Sequence, residues 1–204
     1  YFRLLKTVKN RFGSTNEIGV FEMTGTGLVE VANPSELFLS SDTTATAGSA
    51  TTALVEGSRA FLVTIQANTS KTYFGYPQRR ALGIDQNRLQ LLIAVLCKRL
   101  GVNLGDQDIH VNVVGGLKIS EPAADLAVCA SILSSYKNKP LAKETLYIGE
   151  VGLTGEIRPV SAMEKRLKEA EKLGFKIAYI PKQTKKVASA MQLVEIKNIK
   201  ELEL

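Results

Sequence analysis

Lys9 and Arg11, two residues apart and followed by Phe12 and Gly13, are the side chains of this 204-residue sequence best suited to chemistry on a phosphate. In an extended strand, residues i and i+2 project to the same face. A planar guanidinium beside an ammonium then grips phosphoryl oxygens from two sides. A solvated basic strand end has the same spacing, and the pair alone does not separate the two readings. The sequence contains no GxxxxGK[ST] string, and no lysine follows the glycines of Thr24-Gly25-Thr26-Gly27, so the pair has no phosphate-cradling loop of its own.

Other cations are unevenly spread. Residues 1–13 hold Arg3, Lys6, Lys9 and Arg11 and no acid, and residues 76–100 hold Arg79, Arg80, Arg88, Lys98 and Arg99 against Asp85 alone. With a net charge of +6 and a pI of about 9.3, this clustering points to a polyanion partner, nucleic acid first. Arg59 falls at the tip between two strand patterns, Lys118 follows the Gly115-Gly116 turn, and Arg158 lies within a strand pattern. Tyr73, Phe74 and Tyr76 are available for stacking beside Arg79 and Arg80. The plain alternatives are solvated loop cations and aromatic core or turn residues.

The elements that must position these side chains read as α+β. Apolar runs at 18–23 and 28–31 around the Thr-Gly-Thr-Gly turn predict a hairpin. Residues 40–52, rich in Ser, Thr, Gly and Ala, read as a linker, with a domain boundary near it that separates residues 1–47 from 48–204. Strands are predicted at 53–56, 60–67, 109–114, 146–149, 156–160, 177–180 and 193–196. An amphipathic helix is predicted over 84–100. A second, apolar nearly all round and therefore central, runs from Pro122 to about Ser135. A third starts at Ser161 with a Ser161–Glu164 capping box and ends at Gly174, and a short fourth covers 182–190. Cys97 and Cys129 sit in apolar helical patterns and suit a reducing cytoplasm, and a single histidine leaves little material for a metal site. No apolar run reaches the roughly 18 residues of a membrane span. The sequence opens inside an apolar run without a methionine, as a C-terminal piece of a longer chain would.

The string Lys9 to Gly13, with Ser14-Thr15-Asn16-Glu17-Ile18-Gly19 and Phe21-Glu22-Met23, resembles the RadA (Sms) family of bacterial recombination and repair ATPases. So do Glu56-Gly57-Ser58-Arg59, Gly83-Ile84-Asp85-Gln86-Asn87-Arg88-Leu89, Gly115-Gly116-Leu117-Lys118, the stretch Glu121 to Val128, and Gly149 to Arg158. The resemblance implies the terminal strands of a RecA-like ATPase core followed by a Lon-protease-like domain of the ribosomal-protein-S5-domain-2-like fold. Active Lon proteases use a Ser–Lys dyad. The serine position falls here on Ala123 and the lysine position on Glu164, and neither residue can serve as nucleophile or base.

Through the resemblance, Lys9 and Arg11 become fingers that touch nucleotide on a neighbouring subunit. Arg59, Lys118 and Arg158, extended by Arg79, Arg80 and Arg88, become a basic DNA-binding groove over the vestigial site. Such contacts are sequence-tolerant and salt-sensitive. The family also implies ATP and Mg in a preceding ATPase domain, zinc in an N-terminal finger, and a hexameric ring. Its implied partners are single-stranded DNA, recombination intermediates and a recombinase filament protein. The implied activity is ATP-dependent DNA branch migration, with no cofactor in residues 1–204 themselves. Two other readings compete: a residual peptidase using Ser120 or Ser161, and a purely structural scaffold of a hexamer.

Overall fold

The computed structural model of the chain describes residues 2–6, 9, 11, 18–31, 35, 38–39, 46–73, 75–183 and 187–202. Three strands, β1 (Phe2–Lys6), β2 (Ile18–Thr24) and β3 (Gly27–Glu30), form an antiparallel sheet in the order β1-β2-β3. The β2–β3 turn is the hairpin expected from the glycines, with Gly27 at φ +117 and the Thr24 hydroxyl donating to the Gly27 carbonyl at 2.9 Å. β1 pairs with β2 from Phe2↔Glu22 to Lys6↔Ile18. Lys9 and Arg11 lie beyond that ladder, exposed and not assigned to a strand, and the residues between and around them, including Asn10, lie outside the described residues. Phe12 and Gly13 lie outside the described residues, as does Phe74.

The main sheet has seven strands in the order β12-β11-β8-β4-β5-β7-β6. Its long centre is the hairpin of β4 (Ser49–Glu56) and β5 (Arg59–Lys71), registered from Ser49↔Gln66 to Glu56↔Arg59. β7 (Gln107–Val113) runs antiparallel to β5, and β6 (Arg79–Leu82) runs parallel to β7 at the edge. On the other side β8 (Thr145–Tyr147), β11 (Ile177–Pro181) and β12 (Gln192–Ile196) are parallel to one another. β8 meets β4 at the single pair Thr51↔Leu146. A separate two-stranded ribbon joins β9 (Glu150–Val151) to β10 (Ile157–Arg158). The class is thus α+β with a mixed parallel and antiparallel sheet.

Period-two alternation sends each strand's side chains to two faces. Ala50, Leu54, Val63, Ile65, Ile109, Val111 and Val113 form one face and bury against helices α1 (Gln86–Leu100) and α2 (Asp125–Tyr136). Ala53, Leu62, Leu146, Ala178 and Ile180 face the other way and pack on Met163, Leu167 and Ala170 of α3 (Met163–Lys172). α1 starts where Asp85 accepts from the Arg88 amide at 2.8 Å and stops at Gly101, whose left-handed φ of +68 favours glycine. α2 buries every residue from Asp125 to Ser134, which is the all-round burial its apolar sequence predicts.

The structure departs from the sequence reading at several places. Ser49–Thr52, expected in the linker, belong to β4, because their β-branched and small side chains fit a half-buried pleat. β6 was not expected; Arg79–Leu82 lacks an apolar alternation of its own and is held by parallel pairing to β7. α3 starts at Met163 without the Ser161 cap: Ala162 adopts φ +55, and the Arg166 side chain donates to the Ser161 carbonyl at 3.0 Å. Of residues 182–190, those described are not helical. In addition, Ser35 and Phe38, upstream of the expected boundary, are fully buried against the larger body. The Ser35 hydroxyl accepts from the Leu62 amide at 3.0 Å and donates to Glu169 at 3.0 Å, and the Phe38 ring lies 6.0 Å from that of Phe61.

Candidate functional site

The two dyad positions sit on neighbouring elements but point to different environments. Ala123, in the helical turn Pro122–Ala124, is buried in the cluster that contains Met163, while Glu164, the next residue along α3, is exposed. Ala123 is also tied by its main chain: its carbonyl accepts from the Gly149 amide at 2.9 Å, and the Gly149 carbonyl accepts from the Leu126 amide at 3.1 Å.

Two carboxylates flank Ala123, and each is held by an arginine from a different helix. Glu121 takes Arg166 Nη1 at 3.0 Å and Nη2 at 2.6 Å, and it also accepts from the Val55 amide at 2.9 Å. Arg166 is fully buried, and its remaining donors go to the Ala53 and Ser161 carbonyls. Asp125 takes Arg88 Nε at 3.0 Å and also Arg88 Nη2, accepts from the Val151 amide at 3.1 Å, and Arg88 Nη2 reaches the Val151 carbonyl at 2.9 Å. The hydrogen bond to Asp125 raises the Arg88 pKa from its ordinary value, whereas burial pushes the Asp125 carboxyl up against the opposing pull of Arg88. Bidentate arginine–carboxylate forks fix geometry as well as charge. They hold the backbone of residues 121–125, which includes Ala123, the position where the resemblance expects the nucleophile of an active Lon protease. Spacing does not reveal these pairs, whose members lie 45 and 37 residues apart. The available signal was a pair of carboxylates four residues apart in an otherwise apolar stretch, since buried charges need partners.

The expected cations separate into three groups. Arg59 and Lys118 both lie near Glu56 at one end of the sheet. Arg59 pairs in register with Glu56, and Glu56 and Lys118 line the same small cavity of about 50 Å³, with both cations exposed. Arg88 and Arg158 are in ion pairs. Arg158 lies 3.2 Å from Glu150 and 2.5 Å from Glu156 on the β9–β10 ribbon, so its charge is largely compensated locally. Arg79 and Arg80 are on the edge strand β6; Arg79 turns inward and donates to the Leu104 carbonyl at 3.4 Å, while Arg80 is exposed. Tyr73 and Tyr76, just before β6, are 92% and 84% exposed. Lys9 and Arg11 are far along the chain from these groups and are likewise exposed.

The hydroxyls of Ser120 and Ser161 are exposed and make no hydrogen bond among the described residues, so neither is engaged by a base. Cys129 is fully buried, and burial pushes its thiol up, which leaves it inert. Among the described residues no group of His, Cys, Asp and Glu side chains is placed to hold a metal, and no helix is long and apolar enough to cross a membrane.

Residues 84–184 match the family described as subunit ChlI of Mg-chelatase. The chain is 51% identical over 203 residues to a DNA repair protein RadA of Listeria monocytogenes, covering 98% of this chain and 44% of that protein. It is 57% identical over 180 residues to a DNA repair protein RadA of Bacillus subtilis, covering 88% of this chain and 39% of that one. A third, from Streptococcus pyogenes, is 49% identical over 195 residues. The chain therefore spans well under half the length of these relatives, and within that span it belongs to the RadA family.

Proposed function

We propose that this chain is the DNA-binding and ring-forming module of a RadA-type, ATP-dependent DNA branch-migration helicase in recombination and repair. In this reading the larger body is a Lon-protease-like domain of the ribosomal-protein-S5-domain-2-like fold that holds rather than cuts. The three-stranded sheet is the end of a RecA-like ATPase core. Lys9 and Arg11 reach nucleotide bound with Mg by an adjacent subunit, where cations stabilise charge on the transferring phosphoryl group.

The observation that carries this reading is the fate of the dyad positions. Ala123 and Glu164 replace the reactive pair, and the flanking Glu121 and Asp125 are clamped by Arg166 and Arg88. The chain has kept the scaffold and stiffened the former reaction centre. At the end of the sheet next to it, Arg59 and Lys118 remain exposed. They have the chemistry to hold a phosphodiester backbone without reading bases. Arg88 and Arg158 support the framework instead, because their charge is already matched.

Fluorescence anisotropy with a labelled single-stranded oligonucleotide tests this. The Arg59→Ala/Lys118→Ala double variant is expected to bind more weakly and with a smaller salt dependence than the parent chain. An unaltered affinity and salt slope would remove these two residues from the interface.

A further inference from the structure

The half of the sheet that α3 does not cover carries an unusual set of side chains. The register aligns Ser49, Gln66, Asn112 and Leu82 in one row across β4, β5, β7 and β6. The adjacent row is Asn68, His110 and Arg80. Thr51 lies on the same face as Ser49, one pleat further along β4. Among the described residues, the side chains of Ser49, Thr51, Gln66, Asn112, His110 and Arg80 make no hydrogen bond to one another or to the rest of the chain. The face therefore presents solvent-accessible donors and acceptors in register, none of them committed to a partner within the described residues. Asp108, on the same face, is buried and accepts from the Gln78 amide at 2.7 Å.

At the β4 end these rows run into a cavity of about 210 Å³. It opens where β4 and β8 part, because they are joined only at Thr51↔Leu146. Ser49 and Thr51 supply hydroxyls to it, Thr145 lines it with its own hydroxyl donated to the Lys143 carbonyl at 3.3 Å, and Phe175 and Leu39 supply apolar walls. Glu144, at the rim, is paired with Lys176 at 2.5 Å. A flat heterocycle with hydrogen-bonding edges suits such a lining, its faces against Phe175 and Leu39 and its edge toward the hydroxyls. From β4 to β6 is three strand spacings, roughly 14 Å. That separates the cavity from the exposed guanidinium of Arg80 by a distance a sugar-phosphate chain can cross.

We propose that this face is a nucleotide site. The base enters the cavity between β4 and β8, the sugar and phosphate lie over Gln66, Asn112 and His110, and Arg80 closes on a phosphate at the sheet edge. The nucleotide is either free or one unit of a single strand. The site deepens the DNA-binding reading but does not depend on Arg59 or Lys118.

Amide chemical-shift mapping of the whole chain tests it, with adenosine monophosphate in one arm and a short oligodeoxynucleotide in the other. The site predicts shifts at Ser49, Thr51 and Thr145 in at least one arm. Shifts with the monophosphate alone identify a free nucleotide. Shifts with the oligonucleotide, extending to Asn112, His110 and Arg80, identify a strand. Thr51→Val and Arg80→Ala are each expected to weaken that binding about fivefold, the loss of one or two hydrogen bonds. Arg59→Ala is expected to leave these particular shifts in place. Oligonucleotide shifts confined to the Arg59 and Lys118 region would overturn this site while sparing the proposed function. No shifts anywhere in either arm would overturn both.

Discussion

Arg88 on α1 and Asp125 at the first turn of α2 meet side by side, with Arg88 Nε 3.0 Å from the carboxylate and Nη2 bonded to both Asp125 and the Val151 carbonyl. The fork joins two helices and the β9–β10 ribbon at one point. Its carboxylate is 5% exposed and its guanidinium 31%. Removing one partner strands the other in a poorly solvated place, which costs several kcal/mol for a fully buried pair and less where water reaches.

Arg88→Ala is therefore expected to lower the unfolding free energy by about 2 to 3 kcal/mol, measured by urea denaturation. Arg88→Met with Asp125→Leu should cost clearly less than the two single changes added together, since no charge is left alone. A loss below about 0.5 kcal/mol for Arg88→Ala would mean the pair behaves as a surface ion pair.

Gln86 lies against the outer edge of β6. Its side chain accepts from the Ala81 amide at 3.0 Å and donates to the Arg79 carbonyl at 2.6 Å, as a neighbouring strand would. An open edge invites pairing with another chain. Gln86→Val is expected to destabilise the protein by about 1 to 2 kcal/mol. Light scattering should also show new association that increases with concentration. A variant that scatters light like the parent chain at every concentration tested would show that the edge needs no cover.

The folded shape of the β9–β10 ribbon depends on Glu156. The Thr154 hydroxyl, the Glu156 main-chain amide and Arg158 hold its pKa down to about 2 from an ordinary 4.5. A carboxylate depressed by folding stabilises the fold above its unfolded pKa and loses that contribution as pH falls toward the folded one. The cross-strand signals between Val151 and Ile157, followed by NMR, should persist through pH 4.5 and fade as the pH approaches about 2. In Thr154→Val the midpoint should move upward. An unchanged midpoint would assign the depression to the Glu156 main-chain amide and Arg158.

Gly115 fits Phe38 to the body. At φ +80, with the Phe38 ring overlapping the place where a Cβ would stand, the position strongly favours glycine. Gly115→Ala is expected to cost about 2 to 3 kcal/mol through backbone strain and overpacking. It should cost much less in a Phe38→Ala background, where the clash is gone.

Local pattern made much of this fold legible. The Asp85 cap and the spacing of Leu89, Leu92 and Leu96 specify α1, and the unbroken apolar run of α2 announces a central helix. What stayed hidden depends on contacts far apart in sequence. β6 exists because β7 offers it a parallel ladder, and the start of α3 is set by a buried Arg166 that draws in the Ser161 carbonyl. For the candidate site, Arg59, Lys118 and Arg80 were readable as exposed cations. Arg88 and Arg158 look the same in the sequence, and what sets them apart is their ion pairs, Arg88 with Asp125 on another helix and Arg158 with Glu150 and Glu156 on its own ribbon.

The most direct test of the central claim is the salt dependence of single-stranded DNA binding by the parent chain and by Arg59→Ala/Lys118→Ala. Each phosphate contact to a single strand contributes about 0.7 to the slope of log affinity against log salt, so losing two should reduce the slope by about 1.4. The account predicts that reduction together with weaker binding at every salt concentration. Equal slopes and equal affinities for the two proteins would contradict it.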